Sequence, residues 1–177
     1  MTIKTNESIF LSLPGITELA VPSKTLLLEE GKVAGKLYLI RKGCLRLFFN
    51  HEGKDVTFQF FFEGDFVASF DSLYKRTPSL FSLESIEKTE LSVIKRTDFF
   101  KHLGQIPVLR QIYEEKLIER FHVYQRLFLS RIKNTPKQRY EELLKEYPSI
   151  IQRIPQHYIA SYLGITPVSL SRIRNKR

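Results

Sequence analysis

The chain has 177 residues, 42% of them hydrophobic, a net charge of +9 and a single cysteine. That is enough apolar content for one sizeable core and a small satellite unit, with roughly 70% of the unfolded surface buried at this length. Cys44 cannot form a disulfide or hold a four-thiolate cluster within one chain and is expected as a small buried hydrophobe; no stretch approaches the roughly 20 apolar residues of a membrane span and no leader pattern opens the chain, so a soluble cytoplasmic protein with no membrane partner is expected.

Residues 1–19 are weakly patterned, with a short helix expected near Glu7 to Leu13 and broken by Pro14-Gly15. From Val21 to about Ile94, short apolar runs alternate with turn residues: TLLLEE before Gly31, KLYLI before Lys42-Gly43, CLRLFF before His51 to Lys54, VTFQFFF before Glu63-Gly64-Asp65, then SLFSLESI and ELSVI. In VTFQFFF, Val56, Phe58, Phe60 and Phe62 alternate with Thr57, Gln59 and Phe61, the pattern of a half-buried strand. Strands spaced about ten residues apart predict an antiparallel barrel, sandwich or roll. Asp65 to Tyr74 carries Phe66, Phe70 and Leu73 at helical spacing and reads as a helix inserted in the roll.

From Thr97 the reading is helical, with Thr97 or Asp98 as cap for Phe99 to Leu103. Pro107 opens a stretch of about 25 residues, about 40 Å long as a helix, in which Leu109, Ile112, Tyr113, Leu117, Phe121, Tyr124, Leu127 and Phe128 mark an apolar stripe. Such a helix either packs along the roll or pairs with its own copy, and the three- and four-residue spacing suits a dimer seam formed by Leu109, Tyr113, Leu117, Phe121, Tyr124 and Phe128. Thr135-Pro136 caps a further helix through Arg139, Tyr140, Leu143 and Leu144 that Tyr147-Pro148 ends, and a basic, proline-bounded link follows.

The stretch Gln156 to Asn175, QHYIASYLGITPVSLSRIRN, organises the rest. Ile159, Leu163, Leu170 and Ile173 are apolar at helical spacing on either side of Gly164, which suits the left-handed end of a helix; Thr166-Pro167 then supplies a cap and a first helical position. Two short helices folded across a tight bend are a helix-turn-helix. The expected DNA-contacting residues are Thr166, Val168, Ser169, Ser171, Arg172, Arg174, Asn175 and Lys176, because donors suit base edges and cations suit phosphates, while Val168 suits a thymine methyl. Residues 131–177 hold ten Lys or Arg against three Glu, a balance of +7 that leaves +2 for residues 1–130, and no acid follows Glu146. A polyanion is the natural partner of such a tail.

A roll containing GKLYLIRKGCLRLF and EGDFV, one long helix, and IPQHYIASYLGITPVSLSRIR together resemble the Crp/Fnr superfamily of regulators over about Val21 to Arg177. The resemblance implies an α+β architecture divided as a cyclic nucleotide-binding-like sensor roll (1–106), a long dimerisation helix (107–133) and a helix-turn-helix domain (134–177). It also implies a homodimer that binds double-stranded DNA and senses a small effector, with RNA polymerase as a candidate further partner. Two departures accompany it. Members that bind cyclic nucleotides follow Gly-Asp-Phe with Gly-Glu, and about ten residues on place an Arg and a small residue. Here Ala68-Ser69 and Ser79-Leu80 stand at those places, so the expected pocket of Phe66, Ala68, Ser69, Ser79 and Leu80 has no carboxylate or arginine for a ribose and phosphate, and cyclic AMP is not the expected effector. No hairpin wing follows the second helix before Arg177, so a wing is expected to be absent or reduced to the basic tail.

His51, His102, His122 and His157 are scattered without metal-ligand spacing, and no glycine-rich phosphate loop or nucleophile elbow is present. A non-enzymatic regulator without a cofactor or metal is the expectation. The competing expectation is a sensor or protein-interaction module whose helix-turn-helix no longer binds DNA.

Overall fold

The computed structural model describes residues 3–175. Helix α1 (Ile3–Leu11) precedes strands β1 (Thr17–Val21), β2 (Leu26–Leu28), β3 (Lys36–Lys42), β4 (Leu45–His51), β5 (Lys54–Phe61) and β6 (Phe66–Val67); helix α2 (Phe70–Lys75), strands β7 (Ser82–Ser85) and β8 (Thr89–Lys95), and helices α3 (Arg96–Gln105), α4 (Pro107–Lys133), α5 (Pro136–Glu146), α6 (Ile150–Arg153), α7 (Gln156–Leu163) and α8 (Pro167–Asn175) complete it. The strands form two four-stranded antiparallel sheets in the orders β1-β8-β3-β6 and β2-β7-β4-β5. An antiparallel roll followed by helices is the architecture expected from the spacing of the apolar runs.

Strand β3 is buried along both faces from Leu37 to Ile40. Leu37 and Leu39 pack with Phe10 of α1, Phe99 of α3 and Leu109 of α4, whereas Tyr38 and Ile40 face the interior between the sheets with Leu45, Leu47, Leu83 and Leu91. Its continuous apolar run therefore serves two layers. Gly43, at φ +105°, makes the β3–β4 turn so close to β8 that an added Cβ would lie 2.5 Å from Thr89 Oγ1 and 2.8 Å from Lys88 O. Only glycine fits there.

Three elements differ from the sequence expectation. Strand β1 pairs with β8 from Thr17↔Val93 to Val21↔Thr89; it is an edge strand whose one buried residue is Val21, so its sequence carries little apolar signal. The helix expected over 65–74 begins only at Phe70. Gly64 N–H donates to Ile40 O at 2.9 Å and Ile40 N–H to Asp65 O at 3.1 Å, which draws Phe66 and Val67 into β3's ladder as β6. In β5 the expected alternation breaks at a bulge opposite Leu47/Phe48. Phe58 and Phe61 face the roll interior, while Phe60 joins the C-terminal helices. The strand is covered on both faces rather than half-buried, and Thr57 and Gln59 are 0% and 5% exposed.

Helix α4 splits lengthwise. Leu109 is 3% exposed within the roll-facing core, Tyr113 stacks edge-on against Phe99 at 5.6 Å, and Leu117 lines a small apolar cavity with Phe10 and Phe66. These three expected seam residues belong to intrachain packing. Beyond them Phe121 is 60%, Tyr124 38% and Phe128 66% exposed, accompanied by Ile118, Leu129 and Ile132. Ile118, Phe121, Gln125, Phe128 and Ile132 recur at three- and four-residue steps, a heptad-like row.

Candidate nucleic-acid interface

The C-terminal helices share one core, in which Tyr140 and Leu143 of α5, Ile150 of α6 and its C-cap Ile154, Ile159, Ala160 and Leu163 of α7, and Leu170 of α8 are buried. Thr135 begins α5 with a full capping box: its hydroxyl accepts Gln138 N–H, and Gln138 Oε1 accepts Thr135 N–H at 2.9 Å. Ala160 is 0% exposed, so a larger side chain there would push the helices apart. Gly164 ends α7 in the left-handed conformation at φ 67°, its N–H bonded to Ser161 O, while Ile165 N–H reaches Ala160 O at 3.0 Å. Thr166 then caps α8. Its Oγ1 accepts Ser169 N–H at 3.1 Å and lies 3.0 Å from Ser169 Oγ. The bend follows the reading of its residues.

Around α8 the expected contact residues separate. Val168, Ser171, Arg172 and Asn175 are exposed, and Arg172 has no hydrogen-bond or ion-pair partner among the described residues. Thr166 and Ser169 are engaged with each other as a cap, and Arg174 is half-buried. Lys176 lies outside the described residues. His157, exposed on α7, stacks on Tyr158 with ring centroids 4.0 Å apart. Several cations counted in the basic tail are structural instead: Arg131 donates to Tyr162 O at 2.6 Å, Arg139 to Asn134 O and Leu163 O at 2.7 and 2.8 Å, and Lys137 pairs with Glu141.

Sequence reasoning missed how this unit seats on the roll. The core of the C-terminal helices continues into Cys44, Phe60 and Ile86 of the roll, and burial pushes the Cys44 thiol well up from its ordinary value. Ser161 Oγ of α7 accepts Thr57 N–H at 2.9 Å and donates to Asp55 O at 3.1 Å. Phe60 lies 5.4 Å from Tyr162 and Phe62 4.8 Å from Tyr147. Arg153, from the short α6, forks between Glu63 at 2.8 Å and Glu87. Its guanidinium is held above its ordinary pKa chiefly by the Glu63 hydrogen bond. Partial burial acts to raise the Glu63 pKa, but hydrogen bonds from Arg153 and the Gly43 N–H outweigh it and hold the carboxyl below its usual value. Arg46, only 2% exposed, bonds to Asp55 and Glu84 at 2.8 Å each and is stacked between Phe48 and Tyr158, 3.8 and 4.1 Å from the ring centroids.

The expected effector pocket is a cavity of about 150 Å³ in the roll, lined by Ala68 and Ser69 with Leu27, Leu28, Tyr38 and Leu83. Ser79 Oγ donates to Phe81 O at 2.7 Å and lies 3.0 Å from Ser69 Oγ, both serines being 3% exposed. Three of the five expected residues are outside this lining, Ser79 meeting it only through Ser69. Phe66 turns to α1, edge-on to Phe10 at 4.9 Å, because β6 pairing aims it outward, and Leu80 is 80% exposed in the turn before β7. Lys75 pairs with Asp71 on its own helix. Lys36 is the cation that lines the cavity among the described residues.

Residues 18–105 match the family model described as the cyclic nucleotide-binding domain. The fold of the whole chain is shared with several solved structures. FixK2 from Bradyrhizobium japonicum is similar at 20% identity and a TM-score of 0.76, over 91% of this chain and 83% of that one. CLP from Xanthomonas campestris, described as a c-di-GMP-responsive global regulator, is similar at 17% identity and a TM-score of 0.77, over 98% and 90%. The catabolite activator protein of Thermus thermophilus shares 22% identity at a TM-score of 0.59, over 96% and 82%. No curated protein sequence matches the chain. No described helix is long and apolar enough to cross a membrane.

Proposed function

We propose that the protein is a homodimeric transcriptional regulator in which residues 134–177 bind double-stranded DNA, 107–133 join the subunits, and 1–106 form the sensor roll for an effector other than cyclic AMP. The observation that carries this reading is the outer face of α8: Val168, Ser171, Arg172 and Asn175 are exposed in a segment without acids, on a bend fixed by Gly164 and Thr166. Such a face suits a major groove. Two copies would address half-sites about 34 Å apart.

Fluorescence anisotropy on duplexes selected from a random pool and on scrambled duplexes, at two salt concentrations, tests it. Selective binding is expected. Arg172→Ala should cost about 1 to 3 kcal/mol on the preferred site and relax one base pair if the arginine reads a base; if it holds a phosphate, all sequences should weaken alike and the salt slope should fall by about one. Equal affinity of the wild type for both duplexes would reject selective binding and favour a sensor with a degenerate helix-turn-helix.

The dimer rests on the exposed row of α4. Phe121→Glu or Phe128→Glu should put charges into an apolar seam and yield monomers by light scattering. A wild-type monomer at tens of micromolar would sink it.

A further inference from the structure

We infer that α8 reads a thymine methyl with Val168 and a guanine edge with Arg172 in the same half-site. This deepens the DNA-binding reading and rests on it. A helix lying in the major groove contacts bases mainly with its N-terminal residues. In α8 those are Pro167, Val168 and Ser169, behind the Thr166 cap. Proline offers no side-chain donor. The hydroxyls of Thr166 and Ser169 bond each other, with Oγ atoms 3.0 Å apart and Thr166 Oγ1 holding Ser169 N–H, and Ser169 is half-buried. What the first turn presents is Val168, 62% exposed.

An exposed, β-branched residue does little for a helix by itself. Its isopropyl group is, however, the right chemistry for the one apolar feature of the major groove, the thymine methyl. Leu170 is 1% exposed and Ile173 packs on the same core, so the opposite side of α8 is fixed and Val168 and Arg172 share the outward row four residues apart. That spacing is about 6 Å along the helix axis, or at most about two steps of 3.4 Å along a DNA strand. Arg172 is exposed and unpaired among the described residues, and a guanidinium suits guanine O6 and N7. No Asp or Glu lies from residue 147 onward, so the amino group of cytosine finds no carboxylate side chain on this face, only the neutral acceptors Ser171 and Asn175. The surface therefore favours a thymine next to, or one pair removed from, a guanine.

The test uses the full-length protein and its preferred duplex from a random pool, with each thymine replaced in turn by deoxyuridine, which removes only the 5-methyl group. One thymine per half-site should prove sensitive, with an affinity loss of about fourfold per site, the worth of one buried methyl. In Val168→Ser the same replacement should have no effect. Replacing a guanine one or two pairs away by 7-deazaguanine should weaken the wild type but leave Arg172→Ala unchanged. A wild type that selects its duplex yet tolerates deoxyuridine at every position overturns the assignment while leaving DNA binding in place; a wild type that selects no duplex overturns both.

Discussion

The cavity of the roll and the seam between the roll and the C-terminal helices handle polar groups in opposite ways. At the cavity Ser69 of the lining is satisfied by the buried Ser79 at 3.0 Å, and the remaining lining is largely apolar. In the seam two arginines are each divided between two acids, Arg46 between Asp55 and Glu84 and Arg153 between Glu63 and Glu87, and Arg46 is also stacked between two rings. The two arginines shared between acids thus lie against α6 and α7, while the pocket has Lys36 alone among the charged residues of its lining. Glu63 sits just before the turn into β6 and Glu87 just after β7, and the cavity is lined by Ala68 and Ser69 following β6 and by Leu83 of β7. Segments flanking the same two strands therefore border both regions.

The largest effect expected from breaking this contrast is at Arg46. Removing one partner of a buried ion pair leaves uncompensated charge, so Arg46→Ala should destabilise the chain by about 3 kcal/mol, the low end of the usual range because Asp55 is half-exposed. Urea unfolding would measure it. A loss within a few tenths of a kcal/mol would mean that the stacking on Phe48 and Tyr158 and the pairing to Glu84 contribute nothing net.

Arg153→Ala should be milder, roughly 1 kcal/mol or less, because Glu63 and Glu87 keep much of their water. Its clearer signature is faster hydrogen exchange of Thr57 N–H and along α7, the elements the seam joins. The same contact gives a pH dependence. The Glu63 carboxyl is held below its ordinary value of 4.5, so its contribution is complete above that value and is lost as pH falls through the lower folded value. Protection of the α7 amides, taken relative to the intrinsic exchange rate at each pH, should fall on acidification through this window. Arg153→Ala should have lost most of that sensitivity.

How far the sequence reached follows the same division. Strands β3 to β5, the long α4 and the α7–α8 bend were legible because their signals are local: Gly43 and Gly64 at turns, Pro107 and Pro136 at helix starts, Thr166 three residues before Ser169. The seam was not legible, since nothing in CLRLFF says that Arg46 turns toward α7, and the bulge that puts Phe60 on the outer face depends on the β4–β5 register. The division of α4 was half-legible. Its three- and four-residue row through Ile118, Phe121, Gln125, Phe128 and Ile132 stands in the sequence, but whether Leu109 or Phe128 faces the roll depends on how α1 and α3 pack. In the roll, Ser69 and Ser79 lie 3.0 Å apart, as their places in the sequence led one to expect. The sequence could not foresee that β6 would turn Phe66 away or that Leu80 would project into solvent.

The smallest expected effect sharpens the cavity side of the comparison. A cyclic nucleotide needs a cation or a nest of N–H groups for its phosphate and a pocket of roughly 300 Å³ or more, the usual lower bound for ligand sites. The cavity offers about 150 Å³, and the buried hydroxyls of its lining are already engaged, Ser69 with Ser79 and Tyr38 with Leu27 O. Inserting a phosphate would separate Ser69 from Ser79 and leave Lys36, at the lining's exposed edge, as the nearest compensation. Calorimetric titration with cyclic AMP or cyclic GMP should therefore show no saturable heat in the micromolar range, and the melting temperature should not move. Ser79→Ala should cost only about 1 kcal/mol, the net worth of one hydrogen bond, and leave hydrogen exchange at α7 unchanged. Micromolar binding of either nucleotide that Lys36→Ala abolishes would show instead that the roll opens around the ligand and that its charge lies at the rim.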